Sequence, residues 1–288
     1  MAKKEVKQAS ITFYSKEQIE CPVCNTKFKR EELHSGGGRL IAGDLTDELR
    51  RLYEPSAKYG EVFPPVYNIT VCPKCLYAAF PQDFSIPAKP QLEKLFENIE
   101  ARYTSIKNLF HKVNFSKDRG LIEGAASYHL AIVCYEIADL KSSPTIKQAI
   151  CAIRAAWLFD ELSKKFPEEN YKYVSDVFYK KATFLYRRAL ELESEGSEII
   201  AGLKSFGPDV DKNYGYDGIM YMSALLEYKY GQKSDMELRL KRMEAQKFTL
   251  AKMFGLGKSS KSKPGPLLEA ARDLYNLLKI ELKETEDD

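Results

Sequence analysis

The chain has 288 residues, 44% hydrophobic and 30% charged, with 16 Gly and 13 Pro. That is enough for one large domain or two unequal ones, and the composition excludes collagen-like, mucin-like and wholly disordered chains. The formal charge, 44 − 41 = +3, does not by itself advertise nucleic-acid or membrane binding. The opening MAKKEVKQAS carries lysines without a following apolar run, and no stretch approaches the roughly 20 apolar residues of a membrane-spanning helix, so the expected location is the cytoplasm.

Residues 1–88 hold the triple glycine Gly36-Gly37-Gly38, repeated prolines and two close cysteine pairs, and read as turns and short strands. Between the pairs, Asp44 or Thr46 is placed to cap a short helix through Tyr53, stopped before Pro55. After Pro87 and Pro90 the apolar residues recur three and four apart, the helical period. The spacing predicts helices over about 90–113, 117–140, 144–166 and 169–195, with shorter ones over 197–206, 213–230, 235–254 and 266–283. Ser143-Pro144 reads as an N-cap followed by Pro at the first helical position. The expected domains are a module at 1–88, a helical domain at 89–254, a flexible Gly/Ser/Lys linker at 255–266, and a last helix with an acidic tail at 267–288. The basic surplus is concentrated late: residues 231–265 carry 9 Lys+Arg against 3 Asp+Glu.

Cys21-Pro22-Val23-Cys24 and Cys72-Pro73-Lys74-Cys75 are two CPxC pairs with 47 residues (25–71) between them. Each pair can form a tight knuckle, and two knuckles supply four thiolates, the ligand set of a tetrahedral structural Zn²⁺. With all four positions filled by cysteine, none is left for a water, so a catalytic zinc is not expected. Lys27 and Lys74 could offset part of the charge of such a centre. An iron–sulfur site, dithiol redox chemistry, or His34 in place of one cysteine are the alternatives. Phe28 after the first knuckle and the alternation Tyr67-Asn68-Ile69-Thr70-Val71 before the second suit a zinc ribbon.

Further along, Ala182-x-x-x-Tyr186-x-x-Ala189 matches the second helix of a tetratricopeptide repeat, and Ala149, Ala152, Ala155 and Ala156 give the preceding helix a similar small-residue face. The helices are too long for a strict repeat of 34 residues. The fold class is therefore mainly α: a small zinc-ribbon-like N-terminal module of short β strands, then a tetratricopeptide-like helical domain. CPVC…CPKCLYAAF, the segment GGGRLIAGDLTDELRRLYEPS between them, and the following helices resemble the bacterial domain-of-unknown-function family numbered 2225. The resemblance covers most of the chain. It implies a cytoplasmic protein and a metal role for Cys21, Cys24, Cys72 and Cys75, and carries no biochemical activity with it.

Three functions are compatible with these residues. The leading expectation is a non-enzymatic zinc-binding interaction protein with a protein partner, for which Tyr179, Lys180, Arg187 and Arg188 on the fourth helix, and Arg39, Arg50 and Arg51 in the module, are candidate contacts. The second is nucleic-acid binding through the ribbon, using Arg39, Arg50, Arg51 and Lys58, although residues 1–86 carry 12 Lys+Arg against 11 Asp+Glu. The third is an enzyme or thiol redox protein. Glycine-rich loops do not promote an enzymatic reading: Ile41 stands where a dinucleotide fingerprint needs Gly, and Lys252 where a phosphate-binding loop ending in Gly257-Lys258-Ser259 needs Gly. Cys134 and Cys151 read as packed thiols, and His111 and His129 as packing or surface residues.

Overall fold

The computed structural model describes residues 9–34, 36–203, 207–254 and 263–286. It is mainly helical, with short antiparallel strands confined to the N-terminal region, and it divides into two compact units. The first comprises residues 1–46 and 50–137, the second residues 47–49 and 138–288. The division therefore falls after Ile137 rather than near residue 88. Its cause is the apolar helix Leu121–Tyr135 (α3), which packs on the 3-10 turn Pro64–Tyr67 and on the strand Ala78–Ala79 and its exit: Tyr128 donates its hydroxyl hydrogen to Pro65 O at 2.7 Å, Phe80 N donates to the Tyr135 hydroxyl at 3.0 Å, and Ala78 N to Cys134 Sγ at 3.4 Å.

The strands of the first unit form four separate two-stranded pieces. Thr12–Tyr14 (β1) pairs with Glu31–Leu33 (β4), and Ile19–Glu20 (β2) with Lys27–Phe28 (β3). Ile41–Leu45 (β5) pairs with Arg51–Glu54 (β6), and Thr70–Val71 (β7) with Ala78–Ala79 (β8). The helix expected between Asp44 and Tyr53 is thus a β-hairpin. Leu49 adopts φ +55° in the turn, a left-handed conformation that a helix through this position could not contain.

The helix expected over 90–113 is two: Lys89–Glu97 (α1) and Ile99–Leu109 (α2). They break at Asn98, whose side-chain amide donates to Lys94 O at 2.8 Å and competes with the helical ladder. Helix α3 starts at Leu121, where the Glu123 carboxylate accepts from Gly120 N at 3.1 Å, while residues just before it are tied to strands through Arg119 N to Glu31 Oε2 at 2.9 Å and Tyr14 OH to Asp118 Oδ1 at 2.8 Å.

In the second unit, Pro144–Lys165 (α4) and Tyr171–Ser194 (α5) form a helical hairpin, followed by Gly215–Tyr230 (α6), Met236–Phe254 (α7) and Gly265–Glu286 (α8). Helix α4 is buried almost all round. Ala149, Ala152, Ala155 and Ala156 are fully buried, and so are Ala182 and Ala189 on α5. At 22 and 24 residues, 46 together, the two helices exceed the 34 of a tetratricopeptide repeat. Pro144 opens α4 as expected, but Ser143 makes no side-chain cap and instead donates to Ile199 O at 3.0 Å. The cap is the buried Glu198 carboxylate, which accepts from Thr145 Oγ1 at 2.6 Å and from Thr145 N at 3.2 Å. The described part of the expected helix 197–206 is irregular because Glu198 serves that cap and Glu193 turns back to accept from Ile200 N. The linker expected at 255–266 lies mostly outside the described residues.

Candidate functional site

The two cysteine pairs are built alike, 51 positions apart. In each, a two-residue strand delivers the first cysteine and a second strand leaves after the turn: β2, Cys21–Thr26, β3, and again β7, Cys72–Tyr77, β8. Cys21 N donates to Thr26 O at 2.9 Å and Asn25 N to Cys21 O at 2.9 Å; Cys72 N donates to Tyr77 O at 2.9 Å and Leu76 N to Cys72 O at 3.0 Å. Closing each turn requires positive φ, +57° at Asn25 and +56° at Leu76. Asn tolerates this conformation through its short polar side chain, whereas Leu76 holds it against a steric cost.

The turns bring four thiols together. Cys21 Sγ lies 3.5 Å from Cys75 Sγ, Cys24 Sγ 3.6 Å from Cys72 Sγ, and all four sulfurs fall within 4.8 Å of one another. Zn–S bonds of about 2.3 Å in a tetrahedron imply S···S edges of about 3.8 Å, so the cluster is compatible with one structural Zn²⁺. The separations are far from the ~2.05 Å of a disulfide. Cys21, Cys72 and Cys75 are buried and Cys24 half-buried. Backbone N–H groups of Val23 and Cys24 point at Cys21, those of Lys74 and Cys75 at Cys72, and that of Tyr77 at Cys75, all favouring thiolate. Without a cation four neighbouring sulfurs cannot all ionise. The thiol protons of Cys21 and Cys75 hold the Cys72 thiol low, while contact with Cys21 and Cys72 drives Cys75 up and contact with Cys72 drives Cys21 up. A dication removes that competition by taking all four as thiolates.

The supports around the second knuckle come from α2. The buried Arg102 donates from Nε to Cys75 O at 3.0 Å and from Nη1 to Leu95 O at 2.8 Å, and Tyr103 donates to Lys74 O at 2.5 Å. Arg102 is the buried cation here, where sequence spacing pointed to Lys27 and Lys74. Lys27 is exposed and lies 3.8 Å from Glu20 Oε2. The signal in sequence was weak: an arginine on an amphipathic helix reads as surface. His34 stands outside the cluster, its ring 4.5 Å from that of Phe13.

The glycine loop is not a phosphate cradle ahead of a helix. Gly36, Gly37 and Gly38 all have positive φ, and the loop leads into the strand β5. Arg39 folds back on it, donating to Gly36 O at 3.2 Å with its guanidinium 5.6 Å over the Tyr59 ring, and Arg51 donates to Gly43 O at 2.8 Å. Arg50 N donates to Thr46 Oγ1 at 3.2 Å.

On α5 the candidate contacts separate. Tyr179 is buried, its ring stacked on Tyr230 at 4.3 Å and its hydroxyl hydrogen-bonded to Glu48 and Asp160, so it does not offer itself to a partner. Arg187 pairs with Glu227 at 3.3 Å and Glu191 at 3.6 Å, and Arg188 with Glu191 at 3.2 Å and Glu195 at 3.4 Å. Lys180 is exposed. A further constellation had no sequence signal of its own: Glu48 is buried in the second unit, accepts from Trp157 Nε1 and the Tyr179 hydroxyl, and has Lys229 Nζ at 3.5 Å. Burial pushes its carboxyl above the usual range, against the pull of Lys229 and Trp157.

Paired knuckles closing a four-thiol centre, backed by helices and followed by a multi-helix unit, define a protein with a structural zinc site. The family model described as "Uncharacterized protein conserved in bacteria (DUF2225)" matches residues 14–278, and the chain belongs to that family. An "Uncharacterized protein" of Borreliella burgdorferi (strain ATCC 35210 / DSM 4680 / CIP 102532 / B31) is 46% identical over 274 residues, covering 95% of this chain and 98% of that protein. No solved structure matches. Among the described residues no helix is long and apolar enough to cross a membrane.

Proposed function

We propose that the chain is a non-enzymatic interaction protein of the cytoplasm, in which structural zinc staples the N-terminal unit and the helical unit receives a protein partner. The observation that supports the structural role of zinc is the closed ligand set: four cysteines, three of them buried, leave no position for a reacting water. A reducing compartment suits six free cysteines. Two of the module's arginines, Arg39 and Arg51, bond their own loop and hairpin, which weighs against the nucleic-acid reading.

The test is affinity purification of the tagged full chain from its own cells, with and without nuclease, with bound metal counted in the same sample. A stoichiometric protein that survives nuclease, with one zinc per chain, supports the proposal. Nucleic acid whose digestion removes the co-eluting material replaces it with the nucleic-acid reading.

A further inference from the structure

Within the second unit, α5 and the end of α6 with its following turn enclose a cleft of about 820 Å³. Its charges are uneven. Lys180, Arg187, Lys229, Lys233 and Arg242 line it, against two carboxylates, Asp176 and Glu227. Three of the cations are engaged. Lys229 holds Asp47 at 2.6 Å, and Arg187 and Arg242 flank Glu227 at 3.3 and 3.7 Å. Asp176 is itself paired with Lys172 at 3.1 Å. Lys180 and Lys233 have no carboxylate within ion-pair distance among the described residues.

The lining is also apolar at one point, because Phe184 is 54% exposed beside Lys180 and Arg187. Tyr173 at 71% and Val177 at 43% continue the exposed apolar stripe along α5, four and seven positions apart. In the cleft, Glu227 is only 2% exposed, and its two oxygens are taken up by Arg187 and Arg242.

We propose that this cleft binds an acidic peptide segment of the protein partner. The peptide's carboxylates meet Lys180 and Lys233, and an apolar side chain packs on Phe184. A free phosphate would use the lysines but has no use for Phe184 and the stripe behind it. The charge excess gives the binding its salt dependence, and the apolar contact gives it a preference among acidic sequences. The inference rests on the interaction-protein reading and specifies where and what it binds.

The test is selection of a randomised dodecapeptide library on the zinc-loaded full chain, followed by fluorescence anisotropy of the enriched peptides with the wild type, Lys180→Glu and Phe184→Asp. Both positions are exposed, and unchanged thermal melts and zinc content verify that the variants are folded. The expected result is enrichment of Asp/Glu-rich sequences carrying an aromatic or aliphatic residue, with affinity reduced at least tenfold by Lys180→Glu and by Phe184→Asp, and reduced by added salt. Enrichment of neutral or basic peptides, equal binding by the variants, or no enrichment overturns the assignment. The broader reading is judged separately by the purification experiment: a partner that co-purifies equally with Lys180→Glu leaves an interaction protein with a different binding face.

Discussion

The two units are held by different physics. Around the cysteines the strands are two to five residues long, and their ends are fixed by backbone turns, by Arg102 and Tyr103, and by the sulfur cluster. In the helical unit the α4–α5 hairpin buries a continuous face of alanine, leucine and aromatic side chains, including Trp157 and Phe159. Short isolated hairpins are marginal in water, whereas an amphipathic pair burying that much apolar surface folds through packing. Metal should therefore govern one unit and core volume the other.

The largest effect should come from the metal. Cys72→Ser removes a ligand, and chelation of the wild type removes the ion, from a kind of centre whose metal binding contributes about 10–16 kcal/mol of apparent free energy in small zinc peptides. The first unit should unfold, taking α1–α3 with it. Limited proteolysis should then leave a resistant fragment beginning near residue 138 and retaining most of the helical circular dichroism. If that fragment is degraded as fast as the rest, the contrast between the units is wrong.

A sharper cut through the same unit is Arg102→Met, which keeps length and apolar contact but deletes both hydrogen bonds. It leaves the carbonyls of Cys75 and Leu95 unpaired in the interior, at about 1–3 kcal/mol per buried group. Outer supports of a metal site typically change affinity by about 10–100-fold. Zinc release to a competing chromogenic chelator should therefore accelerate by a similar factor, while the zinc-loaded protein still carries one metal. Unchanged release would reduce Arg102 to packing.

The converse cut is Ala152→Leu at a fully buried position of α4. Overpacking of this kind costs about 1–3 kcal/mol. The midpoint for the helical unit should fall in a denaturant titration followed by Trp157 fluorescence, with zinc content and release rate unaltered. A change in zinc release would show that the units do not respond separately.

What was legible in the sequence divides along the same line. The four ligands were legible because CPxC spacing is a local geometric requirement. Long helices such as α4 and α5 were legible because an apolar period of about 3.6 residues, sustained over roughly 20 positions, fits a helix and no strand. The β5–β6 hairpin was not: Asp44 and Thr46 fit a helix start as well as a strand and turn, and only long-range packing chooses. Periodicity identifies α3 as a helix without saying what its apolar face covers. Long-range polar contacts were hidden for the same reason. Nothing local to Arg102 points to the Cys75 carbonyl, and nothing local to Glu48 points to the indole 109 positions away.

That last contact gives the smallest and most selective test. Trp157 is the only tryptophan, and its buried indole N–H requires an acceptor, which Glu48 supplies. Burial raises the Glu48 carboxyl in the folded state above its unfolded value. Between the two values the folded protein binds the extra proton, so this group's contribution is fully present below the unfolded pKa and is lost as pH rises through the folded one. At neutral pH the ionised, desolvated carboxylate is then a net cost, which Lys229 and the Trp157 and Tyr179 hydrogen bonds only partly offset. Glu48→Gln keeps an oxygen for the indole and removes the charge. It should be more stable than the wild type at pH 7, and the difference should shrink toward zero as pH falls to the unfolded carboxyl range. Paired denaturant titrations read by Trp157 emission across that range measure it directly. A variant less stable at pH 7, with a gap that closes on acidification, would mean that the Lys229 attraction outweighs desolvation and that the carboxyl of Glu48 is lowered in the folded chain.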